Sequence, residues 1–305
     1  MPTVSVVVPT YNRAHHLEQA IKSVLKQEFE DFELIVVDDG STDETRSVVQ
    51  SFDDPRVQYH VHDTNKGGSA ARNTGIEEST GKYVAFLDDD DEWLPEKLRL
   101  QVACLESRGD EWVAAYCDYD VVRDEDSLIG HLPSFVLDRW PGAISKPRPE
   151  GGRELIPVLL ARNLPHGGAS TLMVRRDIVE EIGGFDPEFR RHQDHEFLIR
   201  VLKNGNLAYV DGTLVEKHGT GRPSMTAIEE GKRALFSRFS SEIAAAELNG
   251  YDITGIHQFD LARFYIMNGE FLKGAKNLAG AKTQIPELLR ATCIGLYTRL
   301  TSSRS

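Results

Sequence analysis

The sequence predicts an α/β fold: a Rossmann-like, mostly parallel sheet flanked by helices, with a helical C-terminal extension. Three observations carry this prediction. Apolar, β-branched runs alternate with segments of helical period at intervals of roughly 25 residues through the first third of the chain. Several of these runs pass directly into short polar motifs. Beyond residue 220 the strand-like runs stop and the chain reads as helical.

Taken in order, residues 4–8 (VSVVV) form a continuous β-branched run, as for a strand covered on both faces, which Pro9 is expected to stop. Between residues 12 and 27 the apolar residues Leu17, Ile21, Val24 and Leu25 fall at helical spacing. Residues 34–37 (LIVV) read as a second buried strand ending in DDGS. Ser41 and Glu44 then fit a capping box that opens a helix through Val48 and Val49. Residues 57–61 read as a third strand, and KGGSAARNTGIEES as a loop feeding a helix. Residues 83–87 read as a fourth strand that delivers four successive aspartates, Asp88 to Asp91. Pro95 sits where a helix should begin, with Leu98, Val102 and Leu105 on one stripe.

The rhythm then changes. Residues 112–122 and 170–174 read as strands, 177–182 as a helix ending at Gly183-Gly184, and 196–203 as a helix closed by Asn204-Gly205. Residues 207–215 include a strand, with Asp211-Gly212 as a turn. Residues 124–150 read as a loop, and 258–281 as a helical hairpin.

Composition narrows the function. The 305 residues carry a net charge of −13, which excludes a general nucleic-acid binder. Residues 271–305 hold Lys273, Lys276, Lys282, Arg290, Arg299 and Arg304 against Glu287, a basic tail on an acidic body that suggests a local anionic partner such as a membrane surface. Cys104, Cys117 and Cys293 lack metal-ligand spacing and read as reduced thiols inside a cell. Neither an N-terminal signal nor a spanning run of ~20 apolar residues is read.

In open α/β sheets ligands bind beyond the carboxyl ends of the strands. Residues 9–11, 38–40 and 88–91 all fall there, so three polar motifs converge on one sheet edge. Neighbouring carboxylates repel by about 4 kcal/mol at the effective dielectric of a protein cleft. The aspartate run therefore needs a counter-charge, and hard divalent cations bridge carboxylates to phosphates.

Five motifs, TYNR, IVVDDGSTDET, NKGGSAARNTGI, YVAFLDDDDEW and GGFDPEFRRHQDHEFLIRV, resemble in order and spacing those of family 2 of the inverting glycosyltransferases, which have the GT-A fold. The resemblance covers residues 3–220. It implies a GT-A domain over 1–220, with a nucleotide-sugar half at 1–110 and an acceptor-side half at 111–220, and a helical extension over 221–305.

The resemblance also implies a donor, an ion and a base. Tyr11 would lie against the nucleotide base, with Pro9, Thr10 and Asn12 lining the same pocket. Asp39 would accept a hydrogen bond from the base, favouring uracil, and Arg72 would meet the nucleotide or diphosphate. Asp88, Asp89 and Asp90 supply the D-x-D element: Asp88 near the ribose, Asp89 the variable middle position, Asp90 on a Mg²⁺ or Mn²⁺ ion. Asp91 would support the ion's seat or face the acceptor. His218 would reach the metal or diphosphate. Asp194 matches the general base, Gln193 replaces a more common acid beside it, and Glu196 is the rival base. Gly168-Ala169-Ser170 and Gly183-Gly184-Phe185 resemble the acceptor-side segment; Trp93 and Phe185 would either stack on sugars or fill the core.

The expected function is metal-dependent, inverting transfer from a nucleotide-diphosphate sugar, UDP-linked, to a lipid-linked oligosaccharide or surface glycan. The expected location is cytoplasmic or peripheral on the inner membrane face, with residues 271–305 as the contact. The rival readings are a nucleotidyltransferase and a binding module that holds nucleotide sugar without transfer. The first should show a Gly-rich basic loop near the first strand, which residues 9–13 lack; the second needs no base.

Overall fold

The computed structural model describes residues 1–122, 148–162, 164–218, 224–278 and 281. They divide into two compact units. The first takes the described residues of 1–123, 148–155 and 165–221; the second takes those of 156–164 and 222–305.

The first unit is built on one eight-stranded sheet. Its strands are β1 (Val4–Thr10), β2 (Phe32–Asp38), β3 (Val57–Val61), β4 (Tyr83–Phe86), β5 (Asp91–Trp93), β6 (Trp112–Val122), β7 (Met173–Arg175) and β8 (Asn206–His218). They lie in the order β3-β2-β1-β4-β7-β6-β8-β5. The pairs among β1 to β4 are parallel, as the alternating pattern predicts. The far half is mixed: β7 runs antiparallel to β4 and β6, and β5 antiparallel to β8. Around the strands are α1 (Ala14–Leu25), α2 (Thr45–Gln50), α3 (Gly68–Glu78), α4 (Lys97–Glu106), α6 (Arg176–Glu181) and α7 (Gln193–Asn204).

Every residue of β1 and β2 is buried, which explains their unbroken apolar runs. Pro9 does not stop β1, contrary to expectation. Thr10 accepts from the Asp39 amide on the β2 side, and Val7 from the Leu87 amide on the β4 side. Alternation turns Pro9 towards β4, whose pairing with β1 ends at Val7, so the missing N–H breaks no ladder bond. On the face of the sheet that carries Val7, α3 lies so close to β1 that a Cβ at Gly75 would sit 2.3 Å from Val7 Cγ1.

Other local expectations are corrected. The Ser41–Glu44 capping box does not form; the Ser41 hydroxyl accepts from the Asn12 amide, and Asp43 accepts from the Thr45 amide and hydroxyl. Most of the segment read as a loop at 66–79 is already α3. The turn expected at Asp211-Gly212 is absorbed within β8, where the β6 pairing shifts register at Cys117/Asp118. Nearly all of the 124–150 loop lies outside the described residues.

The second unit comprises α5 (Ile156–Leu160), α8 (Met225–Arg238), α9 (Ser240–Leu248), α10 (Ile253–Met267) and α11 (Phe271–Leu278). Helices α10 and α11 form the hairpin expected at 258–281, turning at residues 268–270. A buried polar network ties the unit together. Lys232 donates to His257 Nδ1 at 3.1 Å, His257 Nε2–H donates to the Leu160 carbonyl at 2.9 Å, and Asp260 accepts from Arg162 and Lys232.

Candidate active site

The parallel register places Thr10 opposite Asp38 and ends β4 just before Asp88, so the three polar motifs emerge side by side. Between them opens a cleft of about 450 Å³, lined by residues of all three motifs together with Gly67, Gly68 and Arg72 from the start of α3. Of the expected site residues, Pro9, Thr10, Tyr11, Asp39, Arg72, Asp88, Asp89 and Asp90 line it. Asn12 is not among the lining residues. It stands at φ 52, and its side-chain carbonyl accepts from the Thr42 amide at 2.8 Å, so it buttresses the loop that carries Tyr11.

Asp39 is buried and largely occupied. It accepts from His62 Nδ1 at 2.7 Å, from the Lys66 amide at 2.8 Å and from the Gly67 amide at 2.7 Å. It thereby pins the loop that leads into α3. Asp38 is spent on the turn, accepting from Tyr59 and the Ser41 amide.

The aspartate run carries its own counter-charges. Asp88 accepts from Arg72 at 2.5 Å, and Arg72 also donates to Gln193 Oε1 at 3.0 Å. Asp89 is buried and accepts from Thr10 and Arg13. Arg13 also reaches Asp90 at 2.9 Å. Asp91 is buried and accepts from Lys217 at 2.6 Å and from the Ser170 hydroxyl at 2.5 Å. Loss of water raises Asp88, but Arg72 and Lys217 outweigh it and hold the carboxyl below its ordinary value. Burial pushes Asp91 up to about 6 against the pull of Lys217. The counter-charge that the aspartates demanded is thus supplied in part by three side chains of the protein, two of which no motif reading singled out: Arg13 and Lys217.

Oxygens of Asp88, Asp90 and Asp91 lie within 4.8 Å of one another. Hard oxygen donors at that spacing fit Mg²⁺ or Mn²⁺, and the cluster is consistent with divalent metal use. The β5–β8 register pairs Asp91 with Lys217 and Glu92 with Glu216. His218 Nε2 lies 3.2 Å from Glu92 Oε1.

Asp194 sits in the first turn of α7, after His192 in the left-handed region at φ 60. Its carboxylate lies 3.2 Å from His195 Nδ1, and it forms a group with His195 and the buried His166. Gly168, at φ 88, lies beside it: a Cβ there would stand in van der Waals contact with Asp194 Oδ2, at 3.4 Å. Loss of water raises Asp194, but His195 and its hydrogen bond outweigh it and hold the carboxyl well below the usual range. Glu196 is fully buried and grips Arg200 through both oxygens at 2.7 and 2.5 Å, a structural ion pair rather than a base.

The aromatic alternatives resolve towards the core. Trp93 is buried with its indole N–H on the Ser170 carbonyl at 2.8 Å. Phe185 stacks on Phe197 with centroids 4.2 Å apart. Cys104 and Cys117 are thiols; Cys293 lies outside the described residues.

The chain matches the Glycosyl transferase family 2 description over residues 5–183. It is 28% identical to an Escherichia coli protein named UDP-Glc:alpha-D-GlcNAc-diphosphoundecaprenol beta-1,3-glucosyltransferase WfgD, over 73% of this chain and 79% of that one. Its fold resembles S. aureus TarS 1-349 in complex with UDP-GlcNAc, at a TM-score of 0.59 and 17% identity over 93% and 92% of the two chains. It also resembles the mannosyltransferase PcManGT of Pyrobaculum calidifontis in complex with GDP-Man and Mn2+, at a TM-score of 0.61 and 17% identity over 99% and 82%. The fold is therefore of the GT-A type, and the chain belongs to glycosyl transferase family 2 and is a glycosyltransferase.

Proposed function

We propose that this glycosyltransferase is divalent-metal-dependent and inverting, and moves one sugar from a UDP-linked donor to a lipid-linked oligosaccharide or surface-glycan acceptor. One observation carries the reading: Arg72 joins the aspartate cluster to the start of α7, where Asp194 stands partly exposed. Donor-side and acceptor-side chemistry thus meet in one unit.

Tyr11 is exposed at the cleft and stacks on the nucleotide base, between walls formed by Pro9 and Thr10. Asp39 Oδ2 accepts one amide and retains capacity for a base N–H. Arg72 and Arg13 face the diphosphate. Asp88, Asp90 and Asp91 would hold a Mg²⁺ or Mn²⁺ ion, with His218 reaching the ion or the diphosphate; the ion when bound stabilises negative charge on the departing diphosphate. Asp194 takes the proton of the acceptor hydroxyl as that oxygen attacks the anomeric carbon. The bond from that carbon to the diphosphate breaks, its electron pair leaves with the diphosphate, and the configuration inverts.

The name of the E. coli relative supports a UDP donor and a diphosphate-linked lipid acceptor. No helix among the described residues is long and apolar enough to cross a membrane. Contact with the inner membrane face would use residues 271–305, where α11 exposes Leu272; most of that segment lies outside the described residues. Calorimetry with a panel of nucleotide sugars, with and without Mn²⁺, tests the donor. Binding of a UDP-sugar that strengthens with Mn²⁺, with inverted product by NMR, is expected; no binding of any nucleotide diphosphate overturns the reading.

A further inference from the structure

We propose that Lys217 is, beside Arg72 and Arg13, a resident counter-ion of the aspartate cluster: a positioning residue that competes with a divalent cation for Asp88 and Asp91, so that the ion is held tightly only together with a nucleotide diphosphate. The inference rests on the metal-dependent reading above and extends it to a residue that no motif marked.

Lys217 is fixed on both sides. It stands opposite Asp91 in the antiparallel ladder with β5 and opposite Val121 in the parallel ladder with β6. Its ammonium lies 2.6 Å from Asp91 Oδ2 and 3.9 Å from Asp88 Oδ2. The Asp91 oxygen that it holds also accepts from Ser170, whose own hydroxyl accepts from the Asp88 amide. The lysine, the serine and the two aspartates are therefore one connected arrangement. A Cβ at Gly168 would lie 3.7 Å from Lys217 Nζ and 3.4 Å from Asp194 Oδ2, so the ammonium and the proposed base border the same space.

The consequence is electrostatic. Asp88, Asp90 and Asp91 bring oxygens within 4.8 Å of one another, and two of these three carboxylates face Lys217. A dication that takes an oxygen from Asp88 or Asp91 meets a positive charge already in place. Like charges a few ångströms apart repel strongly in a partly desolvated cleft, so the bare site holds the ion weakly. A nucleotide diphosphate restores the balance by adding negative charge beside both cations. Ion and nucleotide then strengthen one another's binding by the same factor. Ready loss of the ion once the diphosphate has gone follows from the same balance.

The test is Mn²⁺ titration of the full chain by calorimetry, without nucleotide and with UDP, for the wild type, Lys217→Met and Lys217→Arg. Lys217→Met should tighten Mn²⁺ binding without nucleotide by about tenfold and shrink the enhancement by UDP by a similar factor. Lys217→Arg keeps the charge and should stay within about threefold of the wild type. A merely structural role predicts the opposite, since a disturbed cluster binds the ion more weakly. Unchanged or weaker Mn²⁺ binding in Lys217→Met overturns the inference alone. If that variant does not fold, Lys217→Gln replaces it under the same criteria. A wild type that binds no Mn²⁺ even with UDP overturns the metal-dependent reading and this inference with it.

Discussion

Asp194 and Glu196 stand two residues apart on α7 and could hardly differ more. Glu196 is sealed against Arg200, whereas the Asp194 carboxylate is partly exposed beside His195. Glu196→Gln removes one partner of a buried ion pair, so it should cost about 3 kcal/mol of stability. Thermal melting checks this, and kcat at a temperature where the variant is folded should stay close to wild type. Asp194 is expected to respond to pH as a depressed carboxylate. Its folded-state value lies below the ordinary one of about 3.9, so the ionised base and its share of stability persist above that value. Both are lost only as pH falls further, towards the folded value. A kcat profile from pH 8 down to 5 should therefore show no limb that disappears in Asp194→Glu. At this scale the sequence pattern was informative about candidates and silent about partners. Asp88, Asp89, Asp90 and Asp194 are legible because their motifs are contiguous. Lys217 lies in no motif, and Arg13 closes TYNR without a readable role, because their meaning comes from carboxylates tens of residues away that only the fold brings near.

At the scale of elements, the close approach of α3 to β1 has a direct consequence. Gly75→Ala would force a methyl group into Val7, and overpacking of this kind costs about 1–3 kcal/mol. Chemical denaturation should show that loss; an unchanged midpoint would mean that α3 can shift outward freely. Helix α11 carries the proposed membrane contact. Leu272→Glu replaces an exposed apolar residue with a charge and should lower co-sedimentation with anionic vesicles. Long buried strands were readable from their apolar runs, since β1, β2, β4 and the first half of β6 are buried. β5 was not, because three residues are too few to show a period. The capping box failed for a different reason: Ser41 found a better partner in the Asn12 amide, across the strand ends, than at its own helix.

At the scale of the whole molecule, the two units invite separate stability tests. In the second unit, burial and the neighbouring Lys232 lower His257 to about 3, so the imidazole is neutral when folded and protonates near 6.5 when unfolded. The unfolded chain then binds more protons between these values. Stability of this unit should be full above pH 6.5 and fall as pH drops towards 3; a His257→Gln variant should flatten that slope. The first unit holds the candidate active site, and its sheet order could not be read from the sequence, which predicted parallel strands but not the antiparallel insertion of β7 between β4 and β6. That insertion carries the Gly168–Ser170 segment to the aspartates and to Asp194. Donor binding and transfer, measured side by side for the wild type and Asp194→Asn, test the role of Asp194 most directly. Transfer should fall by about 10²- to 10⁴-fold while the UDP-sugar Kd stays within about threefold. Transfer by Asp194→Asn within about tenfold of the wild type, at equal donor occupancy, would contradict it.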